Sequence, residues 1–137
     1  MSLVIRPLQP NERNFVRDSW RSCLWKNEVD RNAVTFETFF NGMEDYWTAI
    51  EMWRDTVYTV AEFKDVPGEI IGYAVHVGPD DCVWVYVKSP YRRQGVGTAL
   101  LRGATRLGTI TQRGKKFAES RGLTLDPWMH YRRKSQR

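Results

Sequence analysis

Two arginines and two glycines stand together in Arg92-Arg93-Gln94-Gly95-Val96-Gly97-Thr98. They lie between an apolar run, Cys82 to Val87, and a helical apolar pattern that begins at Ala99-Leu100-Leu101. A helix that starts there offers unpaired backbone N–H groups and a positive dipole end, which attract an anion. Glycine lets the backbone approach a phosphate and takes φ values that other residues avoid. Arginine adds a permanently charged planar fork for phosphate oxygens. The spacing fits a pyrophosphate cradle built from Arg92, Arg93, Gln94, Gly95, Val96, Gly97 and Thr98. It fits equally an ordinary strand–turn–helix with its arginines in water. A P-loop is excluded, because the required glycine spacing and Gly-Lys-Ser/Thr are missing. A dinucleotide fingerprint is excluded too, since Leu100 stands where its third glycine belongs.

Other chemistry is sparse. His76 and His130 are the only histidines, and neither has ligand spacing, so no metal site is expected. No Ser-His-Asp or Cys-His arrangement can be built from them. Cys23 falls on a helical apolar face and Cys82 begins a strand, which reads as two core thiols in a reducing, cytoplasmic setting. Asp80-Asp81 follows Gly78-Pro79 and reads as a turn pair or as a carboxylate poised for proton transfer. Phe36 to Trp53 is unusually aromatic. It reads as an amphipathic core helix, or as a wall in which Phe40, Tyr46 and Trp47 with Glu44, Asp45 and Glu51 receive a cationic amine.

Charge is divided along the chain. The net charge is +5 over 137 residues. Residues 1–91 carry nine Lys/Arg against 14 Asp/Glu, whereas residues 92–137 carry 12 against two. The basic part starts at the two arginines and attracts polyanions. Nucleic acid ranks last among these, since no aromatic and basic residues interleave on one strand pair. The tail, residues 132–137, reads as a solvated basic end. No apolar run approaches the roughly 20 residues of a membrane span, and the first residues lack the apolar core of a signal peptide.

The elements that must hold the turn are legible as patterns. Leu3 to Arg6 reads as a strand stopped by Pro7. A helix follows from Pro10, with Phe15, Val16, Ser19, Trp20, Cys23 and Leu24 at helical spacing. A second helix starts at Thr35. Thr56–Phe63 and Ile70–Val77 read as a hairpin across Pro67-Gly68, and Cys82–Val87 as a third strand in series. Strict alternation puts Val83, Val85 and Val87 on one face of that strand and Trp84 and Tyr86 on the other. From Thr98 to Ser120 the pattern predicts one long helix, or a helix broken near Gly108. Leu123 to Tyr131 reads as a last strand, kept from a central position by Pro127. The order predicts one α/β (α+β) domain over residues 1–137.

The stretch from Val87 to Leu101 resembles the acetyl-CoA signature of the GNAT superfamily of N-acetyltransferases, with Arg92, Gly95 and Gly97 in its core. Glu69 to Val75 resembles the strand before it. The resemblance implies a mixed, mostly antiparallel central sheet flanked by helices. It implies acetyl-CoA as cofactor, with the N–H groups of residues 93–98 on the pyrophosphate. The backbone of Val85, Tyr86 and Val87 would hold the pantetheine arm and the thioester carbonyl. It implies direct acetyl transfer to an amine, on a protein lysine or N-terminus or on a small molecule. Asp81 stands where some members carry the base. A tyrosine on the family's fourth helix often protonates the leaving thiolate; Tyr131 is the late tyrosine here. The C-terminal part looks shortened, which leaves two expectations. Either a second copy of the chain completes the site, or the chain is a weakly catalytic module that binds coenzyme A or a partner protein as a regulator.

Overall fold

The computed structural model describes residues 2–108 and 111–129. Tyr131, His130 and the basic tail 132–137 therefore lie outside the described residues. Six strands form one sheet in chain order: β1 Leu3–Pro7, β2 Val57–Phe63, β3 Gly72–His76, β4 Asp81–Val87, β5 Arg106–Leu107 and β6 Thr124–Leu125. The first four strands are antiparallel neighbours; β5 joins β4, and β6 joins β5, in parallel. The helices are α1 Arg13–Asn27, α2 Phe36–Glu51, α3 Val96–Leu101 and α4 Gln112–Arg121.

The sheet divides the core in two. On one face Val16 and Trp20 of α1 and Met43, Trp47 and Ile50 of α2 pack on Val75 and Trp84. Trp20 lies stacked on Trp84, with ring centroids 5.1 Å apart. On the other face Val96, Leu100 and Leu101 of α3 and Ala118 of α4 pack on Ala61, Ala74 and Cys82. His76, buried at the end of β3, places Nε2 3.0 Å from the Leu101 carbonyl and so ties the sheet to the end of α3.

Two expectations from the sequence give way here. The pattern from Thr98 to Ser120 is not one helix. Arg102 and Gly103 take left-handed conformations, φ 53° and 83°, and stop α3 after six residues. Ala104, Leu107 and Ala118 still face one core, but from a loop, a strand and a second helix. The expected last strand is only Thr124–Leu125. Where the sequence looked shortened, a strand, a helix and a strand follow α3 in compressed form.

The other correction is at Val83. Trp84 pairs with Val75 and Cys82 with His76, so Val83 is an extra residue on β4, a β-bulge. The bulge turns Val83 onto the face of α1 and α2 beside Trp84, while Val85 and Val87 stay on the opposite face.

Candidate active site

The bulge separates two halves of β4. Before it, Asp81 and Cys82 pair with Arg106 and Leu107 of β5, and the Gly108 N–H donates to the Cys82 carbonyl. Beyond it no strand pairs with the β5 side of β4 among the described residues. Hydrogen bonding along an antiparallel strand alternates sides. The Lys88 N–H donates to the Ile71 carbonyl, which fixes the phase: Trp84, Tyr86 and Lys88 turn their backbone toward β3. Val85 and Val87 therefore turn theirs toward the open edge. This corrects the expected role of Tyr86, whose backbone is spent on Tyr73 of β3. Its ring remains at the site, 5.4 Å from the Tyr73 ring.

The strand then runs into the arginine–glycine turn. The Arg92 Nε donates to the Val87 carbonyl at 2.9 Å, so this guanidinium lies back along the open edge. Its Cζ is 5.7 Å from the centre of the Tyr86 ring. Arg93 takes φ 66° and Gly95 φ 83°, so the chain turns sharply twice before α3. The N–H groups of Arg93, Gln94, Gly95, Val96, Gly97 and Thr98 have no hydrogen-bond partner among the described residues. Six successive open donors, with Arg93 and Gly95 left-handed and Val96 to Thr98 in the first turn of α3, are a backbone that can receive an anion. The residues present therefore fit a diphosphate, with an extended arm along Val85 and Val87.

Gly97 also has a packing role that its spacing did not imply. It is buried, and a Cβ there would stand 2.9 Å from Phe117 Cε1 of α4. The packing against the ring is by itself a reason for glycine here. The Arg121 guanidinium lies over that ring, its Cζ 4.0 Å from the centre. The Arg121 Nε donates to the Thr98 hydroxyl at 2.9 Å. Phe117 and Arg121 were not singled out by the sequence. Their four-residue spacing before Gly122 was the one available signal, and it does not name a partner.

Asp81 opens β4 at the closed end of this edge. It is buried and ion-paired with Arg106 of β5. Neither cysteine is set up as a nucleophile. Burial pushes the Cys82 thiol up to about 12. Burial also raises Cys23, against the opposing pull of Asn27 and of the charges on Arg92 and Arg113. α4 contains no tyrosine.

The aromatic helix is not a receptor for an outside cation. Trp47 is fully buried, and its cation-binding faces are already occupied. The Arg17 and Arg21 guanidinium carbons lie 5.1 and 5.0 Å from its ring centre, and Arg21 lies 4.1 Å over Phe40. Glu51 is engaged by Arg13, Arg17 and the Tyr58 hydroxyl, and Glu44 by Arg21. The core reading of α2 holds, and the chain supplies its own cations from α1.

Two open hollows lie outside the 92–98 turn. One of about 460 Å³ sits against Glu51 and Tyr58, and one of about 570 Å³ between Phe15, Glu62 and Lys88. Their size does not make them the site. They lack the open donors and the unpaired strand edge that define the cleft. Among the described residues no group of three or more His, Cys, Asp or Glu could hold a metal ion, and no helix is long and apolar enough to cross a membrane.

Comparison with known proteins agrees with this geometry. The family model described as an acetyltransferase (GNAT) domain matches residues 54–128, more than half of the chain. A search of curated proteins finds no match. Among solved structures, the fold is similar to a GNAT-family acetyltransferase from Staphylococcus aureus Mu50. The identity is 15%, with 88% of this chain and 84% of that one covered and a TM-score of 0.58. It is similar also to a ribosomal-protein-alanine N-acetyltransferase from Brucella melitensis biovar Abortus 2308. There the identity is 15%, the coverage 88% and 90%, and the TM-score 0.53. The domain match and the shared fold establish that the chain belongs to the GNAT family of acetyltransferases, which transfer an acetyl group from acetyl-CoA.

Proposed function

We propose that this protein transfers the acetyl group of acetyl-CoA directly to a primary amine, on a protein lysine or N-terminus or on a small molecule. The observation that carries the reading is the continuity of two open features: the outward N–H groups of Val85 and Val87 lead straight into six N–H donors that have no partner among the described residues. A strand-like arm ending in a diphosphate matches both. Acetyl-CoA, when bound, supplies the thioester as the activated acyl group. Val87 holds the arm, and Val85, the first open N–H beyond the bulge, polarises the thioester carbonyl. Residues 93–98 hold the pyrophosphate through backbone N–H groups, with Arg92 and Arg93 as charged flanks. Lysine has an ordinary pKa near ~10.4, so an amine acceptor must shed a proton before it attacks. We assign that proton to Asp81, the one carboxylate on β4. The raised thiols support direct transfer over an acetyl-enzyme.

The test is release of free coenzyme A with a panel of amines. Release should depend on the amine and vanish in Gly95→Asp, and no acetylated enzyme should be found by mass. An enzyme-bound acetyl group that turns over would overturn direct transfer. One observation favours a second reading, a module that binds coenzyme A or a partner without turnover. α4 offers no tyrosine acid, and Asp81 is already held by Arg106. Under that reading acetyl-CoA binds and no amine yields product.

A further inference from the structure

We propose that Arg121 is a phosphate ligand of the coenzyme, supplied by α4 to the far side of the loop. The inference rests on the reading of residues 93–98 given above. Arg121 is held by three uncharged partners. Its Nε donates to the Thr98 hydroxyl at 2.9 Å and its Nη1 to the Ser120 hydroxyl at 2.9 Å, and its plane lies on the Phe117 ring. Among the described residues no carboxylate pairs with it, and its Nη2 has no hydrogen-bond partner. An exposed arginine normally keeps its rotamer freedom or finds an acid. Here a permanent cation is pinned with its charge uncompensated.

Its position gives that charge a purpose. Thr98 carries the last of the six open N–H groups, so the guanidinium flanks the loop from α4. Arg92, tied to the Val87 carbonyl, flanks it from β4. Phe117 links the arrangement to the loop itself, since the edge of its ring lies against Gly97 and its face lies under Arg121. Two arginines on opposite flanks suit a ligand with more than one phosphate oxygen to satisfy. The partner is either the pyrophosphate or the separate ribose phosphate of coenzyme A, and the chemistry of the contact is the same for both.

Calorimetric titration of wild type, Arg121→Gln and Thr98→Val with coenzyme A, dephospho-coenzyme A and pantetheine tests this. Arg121→Gln should weaken coenzyme A by roughly 10- to 100-fold, the range for one charge-assisted bond, and leave pantetheine unchanged. Thr98→Val, which frees the arginine without removing it, should weaken coenzyme A by a smaller factor. If the loss persists with dephospho-coenzyme A, the contact is to the pyrophosphate. If it disappears, the contact is to the ribose phosphate. Equal affinity of Arg121→Gln and wild type for coenzyme A would overturn the assignment, as would an equal loss for all three ligands, which marks a structural role. A wild type that binds neither nucleotide would instead overturn the reading of the loop, and this inference with it.

Discussion

Gly97→Ala separates two explanations of the second glycine in the signature. If glycine is there to let a phosphate approach, alanine harms binding and spares the fold. The packing argues the reverse. The new Cβ would lie 2.9 Å from Phe117 Cε1 and 3.1 Å from Cζ. Carbon atoms rest at about 3.5–4.0 Å, so the ring must retreat by about 0.5–1 Å. Arg121 lies over the ring, 4.0 Å from its centre, so a ring that shifts must carry the guanidinium and its bond to Thr98 with it. Overpacking of this kind costs about 1–3 kcal/mol. The better helix propensity of alanine returns at most about 1 kcal/mol. Urea unfolding should therefore show a loss of about 1–2 kcal/mol with an unchanged slope. Phe117→Leu should make the two changes non-additive, recovering about 1 kcal/mol in the double variant. Wild-type stability in Gly97→Ala together with lost coenzyme affinity would refute the packing argument.

Three further outcomes follow from the same geometry. In amide exchange, Tyr86 should be protected by its pairing with Tyr73, while Val85 and Val87 exchange faster and slow down when acetyl-CoA is added; equal protection of all three would contradict the open edge. Arg93 sits at φ 66°, so Arg93→Val, which brings a β-branched residue into that region, should cost about 1–2 kcal/mol in thermal unfolding, and a neutral result would mean the loop is not held in this conformation. The Glu12 and Glu62 carboxyls are both held below the ordinary glutamate pKa of about 4.5, chiefly because each accepts hydrogen bonds from Arg6. The folded state therefore binds fewer protons than the unfolded one in acid. That stability is complete above about pH 4.5 and declines as the pH falls through the lowered values. Arg6→Met should flatten the acid limb of the stability profile; an unchanged limb would place the acid sensitivity elsewhere.

Much of the turn at residues 92–98 was legible because it is local. The turn, the strand before it and the start of α3 are set by neighbours in sequence: Pro90, Gly95 and the apolar alternation of β4. The bulge was not legible, since Val83 and Trp84 are both apolar and either face accepts either residue. It decides which amides open onto the cleft, so the backbone role of Tyr86 was misread with it. The C-terminal elements were hidden for a related reason. Ala104, Leu107 and Ala118 serve one core from three elements, and two-residue strands leave no alternation to detect. The receptor reading of α2 failed on tertiary grounds. Arg13, Arg17 and Arg21 recur every four residues on α1, but nothing in that spacing says they face Glu51, Trp47 and Phe40.

The most direct measurement is a calorimetric titration of acetyl-CoA into the protein and into Gly95→Asp. A carboxylate at 95 would sit among the six open donors. We expect one site per chain at about micromolar affinity or tighter in the wild type, and none in the variant. No binding at millimolar acetyl-CoA, or undiminished binding by Gly95→Asp, would contradict the assignment of residues 93–98 as the coenzyme's phosphate site.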